Sequence, residues 1–421
     1  MAAKNLVIHS FISKAIGVCC GVLAVVLTSR WLGAEIRGEI SFLLSWIGAW
    51  VIVSDFVTGS ALINLSAKYP AKQLWAFALK WVVFLSCFVL LFYLIFPLNQ
   101  SAYSIVIPIA LLLMGVFNTH GAILIGKGKL NARNYAFALV PFLSITGFAV
   151  FALVKGVSNI GVREYFLCLL AAWLLADLFT FMRLKLFADC SIKPKGSKEL
   201  SKVIFKNGAL SQSGHLIQFI ATRLPFFLMP LLFGMENLGV FSNVVVLGEG
   251  VLIIAASLGQ ILHAKIIHSK NPADDIPDVL KYARLSLLCV IPVVLVLIFI
   301  PDEFWIWLLK KEFAGLGTMF LLFSPMVLLQ SISSIISHFY HAANRFVVLI
   351  VANAIGALVG FAGFMILSHY FGVNGFVLGV VCGYCAQFLF LILKIKHDYQ
   401  VKLYSLLPNK DSVKQILGLI S

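Results

Sequence analysis

Ser10, Lys14, Gly17 and Gly21 recur at spacings of three and four residues, which sets them on one face of a helix. A shift of 201 residues lands on Ser211, His215, Gln218 and Thr222, a second polar stripe with the same spacing. Asp55 follows the first stripe and Glu249 the second. In this register Asp55 meets Ala256, seven residues from Glu249, or two helical turns along the same face. These positions predict one cavity lined by two basic groups, Lys14 and His215, and two carboxylates, Asp55 and Glu249. Arg223, just before Pro225 and Pro230, and Arg30 are further cations in reach of such a site, and Asp177 is a third intramembrane acid. A cation in a low-dielectric cavity attracts a diphosphate strongly, so Lys14, Arg30 and Arg223 suit phosphate recognition.

An ionisable side chain at bilayer depth costs roughly 2.5–3.5 kcal/mol on insertion scales, so it faces a cavity or a partner. Asp55 and Glu249 lie deep in their segments and fit that rule best. The alternative for Lys14, Lys80 and Lys206 is to snorkel toward the interface. Asp177 has the alternative of pairing with a neighbouring base, and His215 that of a hydrogen-bonded packing residue.

Other chemistries are missing from the sequence. It has no GxxxxGK[ST] phosphate loop, no HExxH and no GxSxG elbow, which argues against an enzyme. Seven of the eight cysteines fall in apolar segments. Cys382 and Cys385 stand at CxxC spacing, but mid-helix in lipid and with no histidine at ligand spacing. No metal and no cofactor is expected.

The elements that must position these groups are twelve apolar stretches, each long enough to span a bilayer: 8–29, 40–63, 74–96, 104–125, 135–154, 165–187, 204–231, 239–264, 280–300, 318–338, 346–367 and 376–396. With 61% hydrophobic and 12% charged residues, the chain is an all-α polytopic membrane protein; sustained alternation of the barrel kind is missing. The first stretch starts close to Met1 without a small-residue cleavage site and reads as a retained helix. Twenty-two of the 32 Lys and Arg fall in loops and termini on one side, and six on the other. That asymmetry puts both termini in the cytoplasm. The net charge of +15 therefore reflects topology and membrane-lipid headgroups rather than nucleic acid.

The 201-residue register also aligns Leu32-Gly33-Ala34-Glu35-Ile36-Arg37-Gly38 with Phe233-Gly234-Met235-Glu236-Asn237-Leu238-Gly239. Both join the first two helices of a half. Lys155-Gly156-Val157-Ser158-Asn159-Ile160-Gly161 and Tyr370-Phe371-Gly372-Val373-Asn374-Gly375 both join the fifth helix to the sixth. The expected organisation is two six-helix bundles in parallel repeat, at 1–187 and 204–396. A cytoplasmic linker at 188–203 joins them, and a cytoplasmic tail at 397–421 carries an interfacial helix near 411–420. Duplicated bundles of this kind suit alternating access.

Arg30-Trp31-Leu32-Gly33-Ala34-Glu35-Ile36-Arg37-Gly38-Glu39-Ile40 resembles the R-x-L-G-x-E-x-x-G segment of polysaccharide transporters. Ser54-Asp55-Phe56-Val57-Thr58-Gly59-Ser60-Ala61-Leu62 is similar to their D-F-G stretch, with Val57 in place of the glycine. Gly372-Val373-Asn374-Gly375 resembles the turn before their last helix. The whole chain looks like a Wzx-type O-antigen repeat-unit flippase of the multidrug/oligosaccharidyl-lipid/polysaccharide exporter (MOP) superfamily. That resemblance implies a bacterial inner-membrane protein moving undecaprenyl-diphosphate-linked glycan from the cytoplasmic to the periplasmic leaflet. It further implies an ion gradient, and a polysaccharide polymerase and chain-length regulator as partners. Lys14 and Arg223 would then be cavity cations, and Asp55 and Glu249 would couple ions or bind sugar hydroxyls. Trp46 and Trp50, on one face of the second helix, are positioned to stack on sugar rings. The rival readings are a multidrug or lipid II exporter of the same superfamily and a membrane-embedded polymerase or acyltransferase. The short outer loops disfavour the enzyme.

Overall fold

In the computed structural model, residues 2–66, 69–98, 105–184, 197–266 and 272–406 are described. Residues 185–196 and 407–421 lie outside them, and with these go most of the expected linker and the helix expected near 411–420. The described chain is helical, with no strand. Its helices are α1 Ala2–Leu32, α2 Ala34–Thr58, α3 Ser60–Leu65, α4 Ala71–Ile95, α5 Val106–Gly126, α6 Leu130–Lys155, α7 Val162–Leu184, α8 Ser197–Ile266, α9 Ile276–Ile298, α10 Asp302–Leu308, α11 Leu316–Ala342 and α12 Phe346–Tyr399.

Nine helical segments among the described residues are long and apolar enough to cross a membrane. Two of them are double crossings. α8 runs for 70 residues and α12 for 54, against about 20 residues per span. Each is broken by one glycine with a non-helical backbone, Gly234 (φ 84°, ψ 169°) in α8 and Gly372 (φ 57°, ψ −136°) in α12. Counting their arms separately gives eleven, and α1, a helix of 31 residues, stands where the sequence places the remaining crossing. Pro225 and Pro230 lie inside α8, but the break itself falls at Gly234. Gly33 separates α1 from α2 with φ 88° and ψ 177°. Only glycine adopts that region freely, so the repeat is written in the backbone as well as in the letters.

The described chain falls into two compact units, Met1–Leu216 and Ile217–Ser421. In the N-terminal unit α5 is the hub, packing on α2, α3, α4 and α7, while α6 packs on α1 and α7. Ile40, Leu43 and Ile47 of α2 meet Leu85 and Val89 of α4 and Leu111 of α5 in one core cluster. Lipid is as apolar as these side chains, so close packing rather than water exclusion holds the helices together. Gly208 of α8 shows the consequence: its Cα lies directly on the Phe56 backbone, where a Cβ would overlap the carbonyl.

In the C-terminal unit α11 packs on α9 and α12. The two arms of α12 approach at backbone distance through glycines. A Cβ on Gly363 would stand 3.1 Å from Gly379, and one on Gly383 2.9 Å from the Gly360 Cα. Leu262, Val279, Ile335, Phe339 and Leu391 form the core at one end of this unit. Large apolar side chains such as Phe84, Leu153 and Leu358 remain exposed, as a chain solvated by lipid requires.

Candidate functional site

The C-terminal unit gathers four of the residues singled out from sequence, Gln218, Thr222, Arg223 and Glu249. Arg223 sits on α8 before the Gly234 break and Glu249 on α8 after it. The turn at Gly234 returns the helix so that Arg223 Nη2 donates to Glu249 Oε1 at 3.1 Å. The side chains keep 32% and 48% of their surface exposed, so this is an accessible pair rather than a core ion pair. The guanidinium also lies 5.0 Å over the Phe226 ring, which fixes its plane. Beside the pair opens a cavity of about 190 Å³ whose lining includes Gln218, Thr222, Glu249, Gln330 and Tyr384. The Tyr384 phenol, from the second arm of α12, lies within electrostatic reach of both Glu249 and Arg223. The Gln330 carbonyl oxygen on α11 is buried with no hydrogen-bond partner. Amides, a phenol, a hydroxyl and a half-exposed ion pair thus converge on one space. Such a lining can exchange hydrogen bonds with a polyhydroxylated or anionic ligand.

In the N-terminal unit Asp55 lies just before the point where the second crossing breaks. Gly59 leaves helical geometry (φ −84°, ψ −143°) and separates α2 from α3, while its N–H still donates to the Asp55 carbonyl at 3.0 Å. The Asp55 carboxylate accepts from Thr58 Oγ1 at 2.8 Å and from Asn118 Nδ2 of α5 at 3.0 Å. His215 of α8 lies within electrostatic reach of Asp55. The buried Gln212, one turn earlier on α8, packs its amide against Gly59, and a Cβ there would collide with it. The result is a carboxylate held by two neutral donors, with a titratable ring nearby.

Asp177 forms a separate cluster. It is 6% exposed on α7, and neither carboxylate oxygen has a hydrogen-bond partner. The nearest base is His120 of α5, whose Nδ1 is 3.6 Å from Asp177 Oδ1. Trp75 Nε1 donates to His120 Nε2 at 3.0 Å, and an indole N–H can only donate. His120 therefore carries its proton on Nδ1, 2.9 Å from Thr180 Oγ1. The neutral tautomer is pinned by Trp75, so His120 cannot become a full counter-ion to Asp177 without losing that bond.

The remaining expectations divide. Arg30 is exposed in the last turn of α1, three residues before the Gly33 break. Lys14 belongs to α1, but its side chain lies outside the described residues. Trp46 and Trp50 are half-buried and packed into an aromatic cluster with α4. Trp50 donates to Tyr93 Oη at 3.1 Å and meets Phe88 and Phe92 edge-on, and Trp46 meets Tyr93 edge-on. Sequence reasoning missed Thr58, Asn118, His120, Gln212 and Tyr384. The ionisable groups among them carried a signal, since His120 is a histidine in an apolar stretch. Asn118 and Gln212 became informative only once the fold placed them beside Asp55 and Gly59.

No protein-family model matches the chain, and no curated protein is similar to it in sequence. The fold does have counterparts among solved structures. An inward-facing multidrug resistance MATE family transporter of the MOP superfamily is similar with a TM-score of 0.72 at 15% identity, over 93% of this chain and 96% of the other. The lipid II flippase MurJ in an inward closed conformation gives 0.71 at 15%, over 93% of this chain and 87% of its own. A MOP superfamily transporter from Pyrococcus furiosus gives 0.64 at 16%, over 95% and 97%. The chain is an all-α polytopic membrane protein with the fold of the MOP-superfamily transporters.

Proposed function

We propose that this protein is a flippase that moves an undecaprenyl-diphosphate-linked oligosaccharide, an O-antigen or similar repeat unit, across a bacterial inner membrane. Movement is from the cytoplasmic to the periplasmic leaflet by alternating access, coupled to an ion gradient. The observation that carries this reading is the accessible Arg223–Glu249 pair beside Gln218, Thr222, Gln330 and Tyr384. A glycan cannot cross hydrocarbon unaided. It needs hydroxyl and amide partners in a protected space, and a diphosphate needs a cation that is not locked into the core. Arg223 and Lys14 are assigned the anionic end of the substrate. Gln218, Tyr384 and Glu249 are assigned sugar hydroxyls, with His215 and Arg30 as further polar contacts.

Asp55 and Asp177 are assigned to ion coupling. Asp177 is a buried carboxyl with no donor, and such a group takes up a cation or pays several kcal/mol for its charge. Fold likeness to a lipid II flippase supports a lipid-linked substrate, and likeness to a multidrug transporter supports drug export as the second reading. The five polar side chains in the lining, set among seven apolar ones, support the first.

The deciding experiment deletes the gene in its host and follows surface polysaccharide and lipid-linked repeat units in inside-out and right-side-out vesicles. Intact repeat units trapped in the cytoplasmic leaflet, cleared by wild type but not by Asp55→Ala or Lys14→Ala, establish translocation. Normal surface polymer with normal leaflet distribution removes the flippase reading and leaves drug export.

A further inference from the structure

Gln73, Phe77, Lys80, Trp81 and Phe84 share one face of α4 and, with Phe205 from the start of α8, wall a cavity of about 400 Å³. The wall is built rather than incidental. Phe205 meets Trp81 edge-on at 5.3 Å and Phe77 at 6.3 Å, and Trp81 Nε1 donates to the Ser54 carbonyl of α2 at 3.3 Å. Among the described residues Lys80 is exposed and has no ion pair or hydrogen bond, although it stands in an aromatic groove. Beyond it the same face of α4 continues through Phe84, Phe88, Leu91 and Ile95, all exposed and all apolar, for about 16 Å.

A cation at one end of a long apolar track is the complement of an anionic lipid. We propose that this face of α4 is a lateral docking site for the diphosphate end of the carrier lipid, with its isoprenoid chain along Phe84–Ile95. The proposal rests on the flippase reading above and names where its substrate is first held. Depth selects the occupant. Lys80 lies eight residues past Lys72, about 12 Å further along α4 from the end that the charge asymmetry assigns to the cytoplasm. The Lys80 stem points back toward that end but does not span the difference. A phospholipid resting in its leaflet keeps its phosphate near the level of Lys72. A phosphate seated at Lys80 belongs to a lipid drawn inward, and a track one helix face wide suits a single extended chain rather than paired acyl chains.

The test is native mass spectrometry of the full-length protein released from nanodiscs, with undecaprenyl diphosphate and phosphatidylglycerol as separate probes. Lys80→Gln is expected to lower undecaprenyl diphosphate occupancy roughly tenfold, the loss of one charge-assisted contact, and to leave phosphatidylglycerol unchanged. Lys80→Arg is expected to restore the loss, and Lys72→Gln to leave it small. Equal loss of both lipids with Lys80→Gln would show a general anionic-lipid site and overturn the assignment. So would undiminished undecaprenyl diphosphate binding in a variant with a wild-type gel-filtration profile. Binding is read here without translocation, so failure of the docking site and failure of the flippase reading appear in different assays.

Discussion

Gly33 and Gly234, 201 residues apart, hold the same backbone conformation, φ 88° and ψ 177° in one and φ 84° and ψ 169° in the other. Each ends the first crossing of its half and starts the second. That region of conformational space is essentially closed to residues with a Cβ. At Gly234 no atom lies within 4 Å of where a Cβ would stand, so a substitution there tests backbone strain without a clash. Gly234→Ala is expected to destabilise the protein by about 1–3 kcal/mol, and Gly33→Ala to carry the same strain. Thermal unfolding in detergent, followed by tryptophan fluorescence, checks both. A variant at Gly234 as stable as wild type would mean that the turn relaxes into another geometry.

The Arg223–Glu249 pair separates stability from function. Exposed ion pairs contribute about 0–1 kcal/mol to folding, and both partners here keep a third or more of their surface or close to it. Arg223→Gln and Glu249→Gln are therefore expected to accumulate and unfold like wild type. On the proposed function, repeat-unit translocation should still fall roughly 10- to 100-fold, the scale of one lost charge-assisted hydrogen bond to a bound ligand. Vesicle leaflet assays at matched protein levels check this. Loss of protein in step with loss of transport would make the pair structural.

Much of this architecture was legible because lipid imposes a simple code. Apolar length marks the crossings, and the matching segments around Gly33 and Gly234 mark the repeat. Arg223 and Glu249 could be singled out as charges in apolar segments, but their contact depends on the return of α8 at Gly234, which spacing alone does not supply. The cluster around Asp55 was half visible. The carboxylate stood out, whereas Asn118 and Gln212 are neutral polar residues whose importance comes only from facing it. Trp46 and Trp50 are expected from their spacing to face sugar, and the fold adds contacts with Tyr93, Phe88 and Phe92 of α4 that spacing does not reveal. Helical spacing says which residues share a face, and tertiary packing decides what that face meets.

The α12 arms give a packing prediction. A Cβ on Gly379 would overlap the Phe364 backbone, and one on Gly383 would stand 2.6 Å from the Gly356 carbonyl. In membranes such small-residue contacts supply association that hydrophobicity cannot. Gly379→Leu is expected to force the arms apart and to abolish accumulation of folded protein, whereas Ala362→Leu, on the same helix at an exposed position, should be tolerated. Fluorescence-detected gel filtration of tagged variants distinguishes the two.

Asp177 gives the sharpest test of ion coupling. Its two oxygens are buried without a donor, and His120 is held neutral by the Trp75 indole. A carboxyl in that setting is compatible with folding when it carries a cation, and Asp177→Asn reproduces that loaded, neutral state with the same shape. The variant should therefore fold and insert as wild type does, yet on the proposed function repeat-unit translocation in inside-out vesicles should no longer respond to an imposed proton or sodium gradient. Trp75→Phe removes the bond that pins His120 and frees Nε2 to accept a proton. That ring can then become a counter-ion to Asp177, and gradient-driven transport is expected to weaken without a loss of protein. An Asp177→Asn variant that keeps full gradient dependence would remove Asp177 from coupling and leave Asp55, with Thr58 and Asn118, as the carboxylate that carries it.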